Sequence, residues 1–272
     1  MKYKIKATTL SPIHIGTSEV YEPVNYVIDN GYLYYFDEYK FIKYVDKKEL
    51  ANCKHFSEVY RFVKQNKDIA KNIFQYKVKV SKQIENLYRF VGLPKKNPKT
   101  NQYQKDKFGN FIYNQMQILK HFKTNNIPTI PGSSIKGSIK TFFDENISVS
   151  DTTLIKANLE IGFAQRVYKN RLNNTKRGIA PMVEVVSKDS EFEFSINVNN
   201  LDKLILNANR FYSKDKFYKN FKENSFLLRV GRFVGREFMI KHPKPTKTFS
   251  VYKQNRFDDS FEPFGWLLCE IL

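Results

Sequence analysis

The stretch EFEFSINVNNLDKLILNANRFY, residues 191–212, decides the fold because it joins two different periodicities. Between residues 192 and 198 apolar side chains recur at every second position, which predicts a half-buried strand. Between residues 201 and 212 they recur every three or four positions, which predicts a helix. Outward from this pair, further strand-like runs follow at 227–230, 238–240, 249–252 and 264–271.

The first half of the chain holds similar elements in a similar order. Residues 3–9 alternate and predict a strand, and Asn30-Gly31 between two β-rich runs predicts a hairpin, because glycine tolerates the positive φ of the turn. Helical spacing extends from Asp46 to Phe74, whereas residues 76–80 fit either a strand or a helix. The remaining predictions are an exposed basic loop at 94–110, a strand at 116–122 and a helix opened by residues 131–134 that runs to about Phe143.

These elements predict an α+β protein built from two ferredoxin-like modules, since strand–helix–strand–strand with a late closing strand is typical of that module. We expect a first module over residues 1–148, with a helical and basic-loop insertion at about 46–113. A second module is expected over residues 149–272, with a loop rich in glycine and arginine. The halves share the order of their elements and no repeated sequence.

The charge of the chain indicates a polyanionic partner. Its 46 Lys and Arg exceed its 27 Asp and Glu, for a net charge of +19, and 15% aromatic residues indicate a folded protein. The sequence shows neither a secretory signal nor an apolar run of about 20 residues, so we expect a cytoplasmic protein without membrane contact. Cys53 and Cys269 are far apart and the four histidines lack zinc spacing, so we expect no metal and no cofactor.

The first candidate site is the run Leu228-Arg-Val-Gly-Arg-Phe-Val-Gly-Arg236. Glycines let a backbone approach a ligand closely, arginines bind phosphates in a bidentate manner, and phenylalanine stacks on bases. This combination predicts a groove for single-stranded nucleic acid, formed by Arg229, Gly231, Arg232, Phe233, Gly235 and Arg236. Alternation along a strand would split the arginines between two faces, and Arg229 is the least certain of them. Residues 166–177 form a second basic stretch without acids.

A second candidate is the helix start at Pro131-Gly-Ser-Ser134. Gly132 and Gly137 have the glycine spacing of a P-loop, but Ser138 stands where its lysine belongs, which argues against a nucleotide triphosphatase. Free backbone N–H groups at a helix start attract phosphate, and the predicted contacts are Ser133, Ser134, Lys136 and Lys140. On physical grounds alone, an ordinary capped helix explains the segment better.

His14, which follows the first strand, is the third candidate. A histidine there could act as a general acid or base, although a histidine between two isoleucines is more often packed and hydrogen-bonded. Carboxylate catalysis has less support, because turns and helix caps explain Asp29, Asp37 and the pair Asp258-Asp259.

Taken together, residues 10–16 (LSPIHIG), 23–29 (PVNYVID) and 130–137 (IPGSSIKG) resemble the RAMP superfamily of CRISPR proteins. The last run is specific to that superfamily and is shared among its members. The opening residues, with 149–151, 182–186, 191–194 and 262–266, resemble the family of fifth Csm subunits in type III-A effector complexes. Asn25 stands where that family has an acid, and the loop at 231–235 holds fewer glycines than usual.

The resemblance implies two ferredoxin-like (RRM-like) modules and a non-catalytic subunit that binds guide RNA (crRNA). Such a subunit caps the 3′ side of the crRNA and supports its maturation in antiviral defence. The implied partners are crRNA, other Csm subunits and host ribonucleases that trim the 3′ end. His14 is then a further RNA-binding residue. The alternative function is a metal-independent RAMP endoribonuclease that processes CRISPR transcripts with His14 as acid/base. A protein–protein adaptor without RNA contact fits the charge poorly.

Overall fold

A computed structural model describes residues 1–168, 171–175 (backbone only), 180–213, 224–235, 238–239, 248–258 and 260–272. The chain divides into two compact units. Unit 1 comprises Met1–Ser18 and Lys120–Leu272, and unit 2 comprises Glu19–Leu119.

The described residues form short strands and helices throughout. The strands are β1 (Lys2–Thr9), β2 (Gly16–Tyr21), β3 (Tyr26–Asp29), β4 (Tyr32–Tyr35), β5 (Tyr76–Val80), β6 (Ile118–His121), β7 (Lys123–Thr124), β8 (Ile127–Pro128), β9 (Ser148–Val149), β10 (Thr153–Lys156), β11 (Leu159–Tyr168), β12 (Arg171–Thr175), β13 (Met182–Val186), β14 (Glu191–Asn197), β15 (Ser225–Arg229), β16 (Thr248–Lys253), β17 (Glu262–Pro263) and β18 (Trp266–Ile271). The helices are α1 (Glu38–Tyr44), α2 (Lys47–Ala51), α3 (Phe56–Gln65), α4 (Lys67–Asn72), α5 (Lys82–Arg89), α6 (Gly132–Ile139) and α7 (Leu201–Tyr212).

Unit 1 is organised around an antiparallel sheet with strand order β10-β14-β1-β18-β15, in which β9 also pairs with β14. β1 lies between two strands that come much later in the chain, with the registers Lys2↔Asn197 and Ile5↔Ile271. One face carries ion pairs such as Lys6–Glu191, and the other face is apolar. The alternation at residues 192–198 therefore sets which face of β14 is buried.

Two helices among the described residues of unit 1, α6 and α7, cover the apolar face of this sheet. Ile135 and Ile139 of α6 and Leu204 and Ala208 of α7 belong to one buried cluster with the inward side chains of β1, β14, β15 and β18. Asn200 caps α7 by accepting a hydrogen bond from the backbone N–H of Lys203 at 2.9 Å. An antiparallel sheet with two helices on one face is the α+β arrangement that the sequence predicted, and the fold class is confirmed.

A second set of strands in unit 1 surrounds the long strand β11. The first half of β11 pairs with β13 and its second half pairs with β16, both antiparallel. β12 pairs with the end of β11, and β17 pairs with β16. Inward side chains such as Phe163, Val183 and Val251 are buried.

Unit 2 contains the antiparallel strands β3, β4 and β5 together with five short helices. The predicted hairpin is confirmed, since Asn30 and Gly31 have φ of 51° and 77° between β3 and β4. Asp37 caps α1, as expected for a cap residue, and accepts a hydrogen bond from the N–H of Lys40 at 2.9 Å. Asp29 instead pairs with Lys67 and Lys71.

Several predicted elements differ in detail from the structure. The helical pattern over 46–74 forms three helices, because the chain leaves helical geometry around Asn52 and Asn66. Residues 76–80, whose sequence fits either a strand or a helix, form a strand. Phe238 and Met239 lie in a turn, so the strand predicted at 238–240 is wrong for both, and Ile240 lies outside the described residues.

The compact units do not coincide with the predicted modules 1–148 and 149–272. β1 pairs with β14 and β18 and therefore belongs with the second half of the chain, and unit 2 is longer than the predicted insertion at 46–113. The boundary between two modules stays a prediction.

Candidate nucleic-acid interface

The arginine-glycine loop, residues 229–235, follows the end of β15 in unit 1. Its backbone takes positive φ at Gly231 (94°), Phe233 (73°) and Gly235 (97°). Positive φ is uncommon for a bulky residue such as phenylalanine, and surrounding packing must hold it. The Phe233 ring provides that packing, with its centroid 5.6 Å from His14 and 5.3 Å from Phe264.

The loop is docked on the backbone of His14. The N–H of Arg232 donates to the His14 carbonyl at 2.8 Å. A Cβ on Gly231 would lie 2.6 Å from that same carbonyl oxygen. The sequence predicted that Gly231 lets the backbone approach a ligand, whereas the structure explains this glycine by a close approach within the protein itself.

Arg229 is almost fully buried, although it was the arginine least expected to contribute. Its Nε–H donates to the Phe264 carbonyl at 2.9 Å. Its guanidinium carbon lies 4.2 Å from the centre of the Phe238 ring and 5.2 Å from that of Trp266. Two aromatic faces and a carbonyl thus hold this cation in a fixed position.

Arg232 is exposed and lies across Gly16. A Cβ on Gly16 would lie 3.2 Å from Cδ of Arg232 and 3.7 Å from Nε2 of His14, so the missing side chain leaves room for the arginine. Its guanidinium carbon lies 5.3 Å from the centre of the Phe233 ring. Phe233 therefore carries a cation above it and a histidine beside it.

A cleft of about 420 Å³ brings two of the predicted motifs together. Its walls come from the start of β2, from one side of α6 and from the arginine-glycine loop. The lining residues are Ile15, Gly16, Thr17, Ser134, Gly137, Ser138, Arg229, Val230, Gly231, Arg232, Val234, Phe238 and Met239. Both arginines face the cleft because β15 ends at Arg229 and the turn at Gly231 redirects the chain.

The cleft is suited chemically to an anion. Its lining includes two guanidinium groups and the hydroxyls of Thr17 and Ser134, and no acid occurs among the described residues that line it. Guanidinium groups bind phosphate through paired N–H donors, and hydroxyls add further donors. Gly16, Thr17, Ser138 and Met239 were not predicted, since only the folded loop brings them together.

The predicted phosphate site at the start of α6 is occupied by the protein itself. The carboxylate of Asp151 accepts a hydrogen bond from the N–H of Gly132 at 2.7 Å, and a Cβ on Gly132 would clash with the Val149 carbonyl. A carboxylate at this position opposes a phosphate, so the ordinary capped helix describes this terminus. Ser134 lines the cleft from the side of the helix, whereas Ser133 is exposed and does not line it.

The two predicted lysines of α6 differ in their surroundings. Lys136 is exposed near the cleft without lining it. Lys140 lies at the other end of the helix, where its ammonium donates to the carbonyls of Asp144 and Glu145 at 3.0 and 2.8 Å. A direct contact between Lys140 and RNA would compete with these bonds.

His14 lies beneath the loop and is fully buried, so the structure does not place it on the cleft surface. Its Nδ1–H donates to the Glu184 carbonyl at 2.7 Å, and its Nε2 has no partner among the described residues. Burial lowers the pKa of His14 to about 4, and the nearby charges of Arg232 and Lys123 act in the same direction. The ring is therefore neutral near pH 7 and supports the loop.

A buried polar network next to His14 was not predicted. The carboxylate of Glu184 pairs with Lys123 at 2.5 Å and accepts from the N–H of His121 at 2.9 Å. Nδ1 of His121 accepts from the N–H of Ile15 at 3.1 Å, and burial holds the pKa of His121 well below its usual range. These residues are far apart in the sequence, and no local pattern connects them.

Some predicted residues lie outside the described part of the chain. They are Arg236 of the loop and Lys169, Lys176 and Arg177 of the second basic stretch. Among the described residues, no group of three His, Cys, Asp or Glu side chains is placed to hold a metal ion. Within the same residues, no helix is long and apolar enough to cross a membrane.

Fold and site together define an α+β protein with an arginine-lined cleft beside a docked loop. The chain belongs to the RAMP superfamily, whose sequence profile matches residues 6–257. It is 27% identical over 149 residues to the CRISPR system protein Csm5 of Methanocaldococcus jannaschii. That match spans 53% of this chain and 32% of the length of the relative.

Solved structures of similar fold cover nearly the whole chain. One is a chain of a Csm–crRNA–target RNA ternary complex of a type III-A CRISPR-Cas system, with a TM-score of 0.64 and 13% identity over 99% of this chain and 100% of that one. Another is Csm5 of T. onnurineus, with a TM-score of 0.59 and 14% identity over 98% and 100% of the two chains. The RAMP fold expected from the sequence is thereby confirmed.

Proposed function

We propose that this protein is a crRNA-binding RAMP subunit of a type III-A Csm complex and that the cleft of unit 1 contacts the RNA backbone. The observation that carries the proposal is the pair Arg229 and Arg232 on one cleft, whose described lining residues include no acid. The net charge of +19 supports it, because the phosphate backbone supplies most of the affinity in RNA binding. The similarity to Csm5 and to a chain of a Csm complex supports the assembly.

The two arginines have different parts in this proposal. Arg229 is fixed by its aromatic neighbours and presents a preorganised charge, which costs little ordering on binding. Arg232 is exposed at the rim and can turn its guanidinium toward a phosphate. Phe233, in contact with Arg232, is half-buried between His14 and Phe264, so a base can reach only its exposed part.

We assign the chain a non-catalytic role at the 3′ side of the crRNA, where it supports crRNA maturation together with host ribonucleases. Family resemblance supports this position. The buried, neutral state of His14 argues against the alternative, because an acid/base residue must reach its substrate and titrate near the working pH. Incubation of the full chain with repeat RNA in EDTA tests this. Products of defined size that disappear in His14→Ala would overturn the non-catalytic assignment.

The RNA-binding proposal is tested with Arg232→Glu in the full chain. Fluorescence anisotropy with crRNA-length RNA should show at least a tenfold loss of affinity, since the substitution replaces attraction with repulsion. Lys156→Glu is the matched control, because Lys156 is an exposed cation of unit 1 outside the cleft, and it should change the affinity less than twofold. Arg232→Lys should restore binding in part, since a point charge lacks the bidentate fork.

Equal effects of Arg232→Glu and Lys156→Glu would contradict this site, because binding would then depend on net charge alone. Circular dichroism and thermal melting of both variants establish that they are folded. An unchanged affinity in a folded Arg232→Glu protein would also refute the proposal.

A further inference from the structure

Residues 94–113 of unit 2 form an exposed element that we call the lysine-aromatic finger. Antiparallel bridges Pro94↔Tyr113, Lys96↔Tyr103 and Lys105↔Phe111 join its three segments, 94–96, 103–105 and 111–113, to one another. Backbone hydrogen bonds reinforce them, including Lys95 N–H to the Ile112 carbonyl at 2.7 Å. The exposed basic loop expected at 94–110 is therefore a folded element with a defined surface.

The finger is strongly basic. Its five lysines (Lys95, Lys96, Lys99, Lys105 and Lys107) are all exposed, and none forms an ion pair among the residues that the structure describes. Its single acid, Asp106, builds the turn by accepting from the N–H groups of Phe108 and Asn110 at 2.8 and 2.9 Å. These hydrogen bonds lower the pKa of Asp106. The only negative charge of the finger is thus committed to its own turn.

Three aromatic rings stand among these lysines with large exposed areas. Tyr103, Phe108 and Phe111 are 53%, 76% and 44% exposed. Each ring has a lysine ammonium over it. The distance from the ammonium to the ring centre is 5.1 Å for Lys96 on Tyr103. It is 4.9 Å for Lys107 on Phe108 and 5.2 Å for Lys105 on Phe111. Phe108, the most exposed of the three, has the face opposite its lysine open to a ligand. The rings of Tyr103 and Phe111 contact each other edge to face, with centroids 5.8 Å apart, and offer a ligand their exposed parts.

We infer that the lysine-aromatic finger is a binding surface for single-stranded RNA. Such RNA presents unpaired bases, which stack on aromatic faces, beside phosphates, which lysines neutralise. An acidic polypeptide would pair with the lysines and leave the open ring faces without a contact. Bases that are stacked inside a duplex cannot stack on these rings. The inference goes beyond the proposed function, because the finger belongs to unit 2 and its residues are separate from those that line the cleft.

The test uses the full chain and a labelled 20-nucleotide uridine RNA. Tyr103→Leu with Phe108→Leu keeps apolar bulk and removes two stacking faces, so affinity should fall at least about tenfold. Phe108→Tyr keeps the ring and should bind as the unchanged protein does. Replacing Lys96, Lys105 and Lys107 by Ala should reduce the slope of log K against log salt by about 2.

The matched control lies on α1 of the same unit. Tyr39 is 80% exposed and the exposed Lys43 lies four residues later on the same helix, so Tyr39→Leu with Lys43→Ala removes an exposed ring and a cation elsewhere in the unit. It should change the affinity less than twofold. A finger variant that loses no more affinity than this control would overturn the inference. The inference would also be overturned if a finger variant lost as much affinity for duplex RNA or for polyglutamate as it loses for the uridine RNA.

Repeating the finger variants in the Arg232→Glu background separates the two sites. Independent surfaces contribute additively to the binding free energy, so the fold-changes should multiply. If Arg232→Glu binds normally while the finger variants lose affinity, the cleft proposal fails and the finger inference stands. If only Arg232→Glu loses affinity, the finger inference fails and the cleft proposal stands.

Discussion

Gly231→Ala should uncouple the arginine-glycine loop from the body of unit 1. The native φ of 94° is unfavourable for alanine, and the new Cβ would lie 2.6 Å from the His14 carbonyl oxygen. Because that oxygen belongs to the backbone of a buried segment, the loop must move instead. Movement breaks the hydrogen bond from the Arg232 N–H to the same carbonyl, which is 2.8 Å long in the native loop.

The expected loss of stability is the sum of two costs, the positive φ of the new alanine and the lost hydrogen bond of Arg232. A positive φ costs a residue with a side chain about 1–2 kcal/mol, and a lost backbone hydrogen bond costs about 1 kcal/mol. The free energy of unfolding should therefore fall by about 2–3 kcal/mol. At about 2–4 °C per kcal/mol for a domain of 150–250 residues, the melting temperature should drop by roughly 4–12 °C. RNA affinity should fall with it, since Arg232 leaves its place at the cleft.

Differential scanning calorimetry and anisotropy with crRNA-length RNA measure both effects. Gly137→Ala is the control for the melting temperature alone, because a Cβ there meets nothing within 4 Å inside α6, and alanine should stabilise the helix by up to about 1 kcal/mol. A Gly231→Ala protein with an unchanged melting temperature and unchanged affinity would refute the reasoning about the docked loop.

Three further predictions concern the surroundings of the cleft. Lys136→Ala should lower the slope of log K against log salt for RNA binding by about 0.7 without loss of stability. Lys140→Ala should leave that slope unchanged and lower the melting temperature, because Lys140 donates hydrogen bonds to two backbone carbonyls. The pKa of His14 is lowered from 6.5 to about 4 in the folded protein. Between these two pH values the unfolded chain is protonated at His14 and the folded chain is not. The free energy of unfolding should therefore fall by about 3 kcal/mol from pH 7 to pH 4. Melting curves of His14→Gln should lack that part of the pH dependence. Glu184→Gln removes the negative charge that pairs with the buried ammonium of Lys123 and should cost about 3–5 kcal/mol in denaturant unfolding.

Features that depend on neighbouring residues were predictable from the sequence. The Asn30-Gly31 hairpin and the pair β14 and α7 follow from turn chemistry and periodicity over a few positions. The motif residues Ser134, Arg229 and Arg232 were also identified, and the fold places all three on one cleft. Their contact with RNA stays a prediction.

Features that depend on distant residues were not predictable. Gly231 has positive φ because of His14, more than two hundred positions earlier, and no local pattern reports that approach. The network of His14, His121 and Glu184 is buried for the same reason, since its members come from three separate segments. The helix start at Gly132 looked free because Asp151, its capping acid, lies outside the motif.

The position of β1 between β14 and β18 sets an order of events during synthesis on the ribosome. Its registers join Lys2 to Asn197 and Ile5 to Ile271, so both neighbours are made long after it. At about 5–20 residues per second, β1 waits roughly 10–40 seconds for β14 and longer for β18. Meanwhile the whole of unit 2, Glu19–Leu119, has been synthesised as one continuous segment. The apolar face of β1 therefore lacks both neighbouring strands during most of synthesis, and pairing across such long sequence separations should be slow.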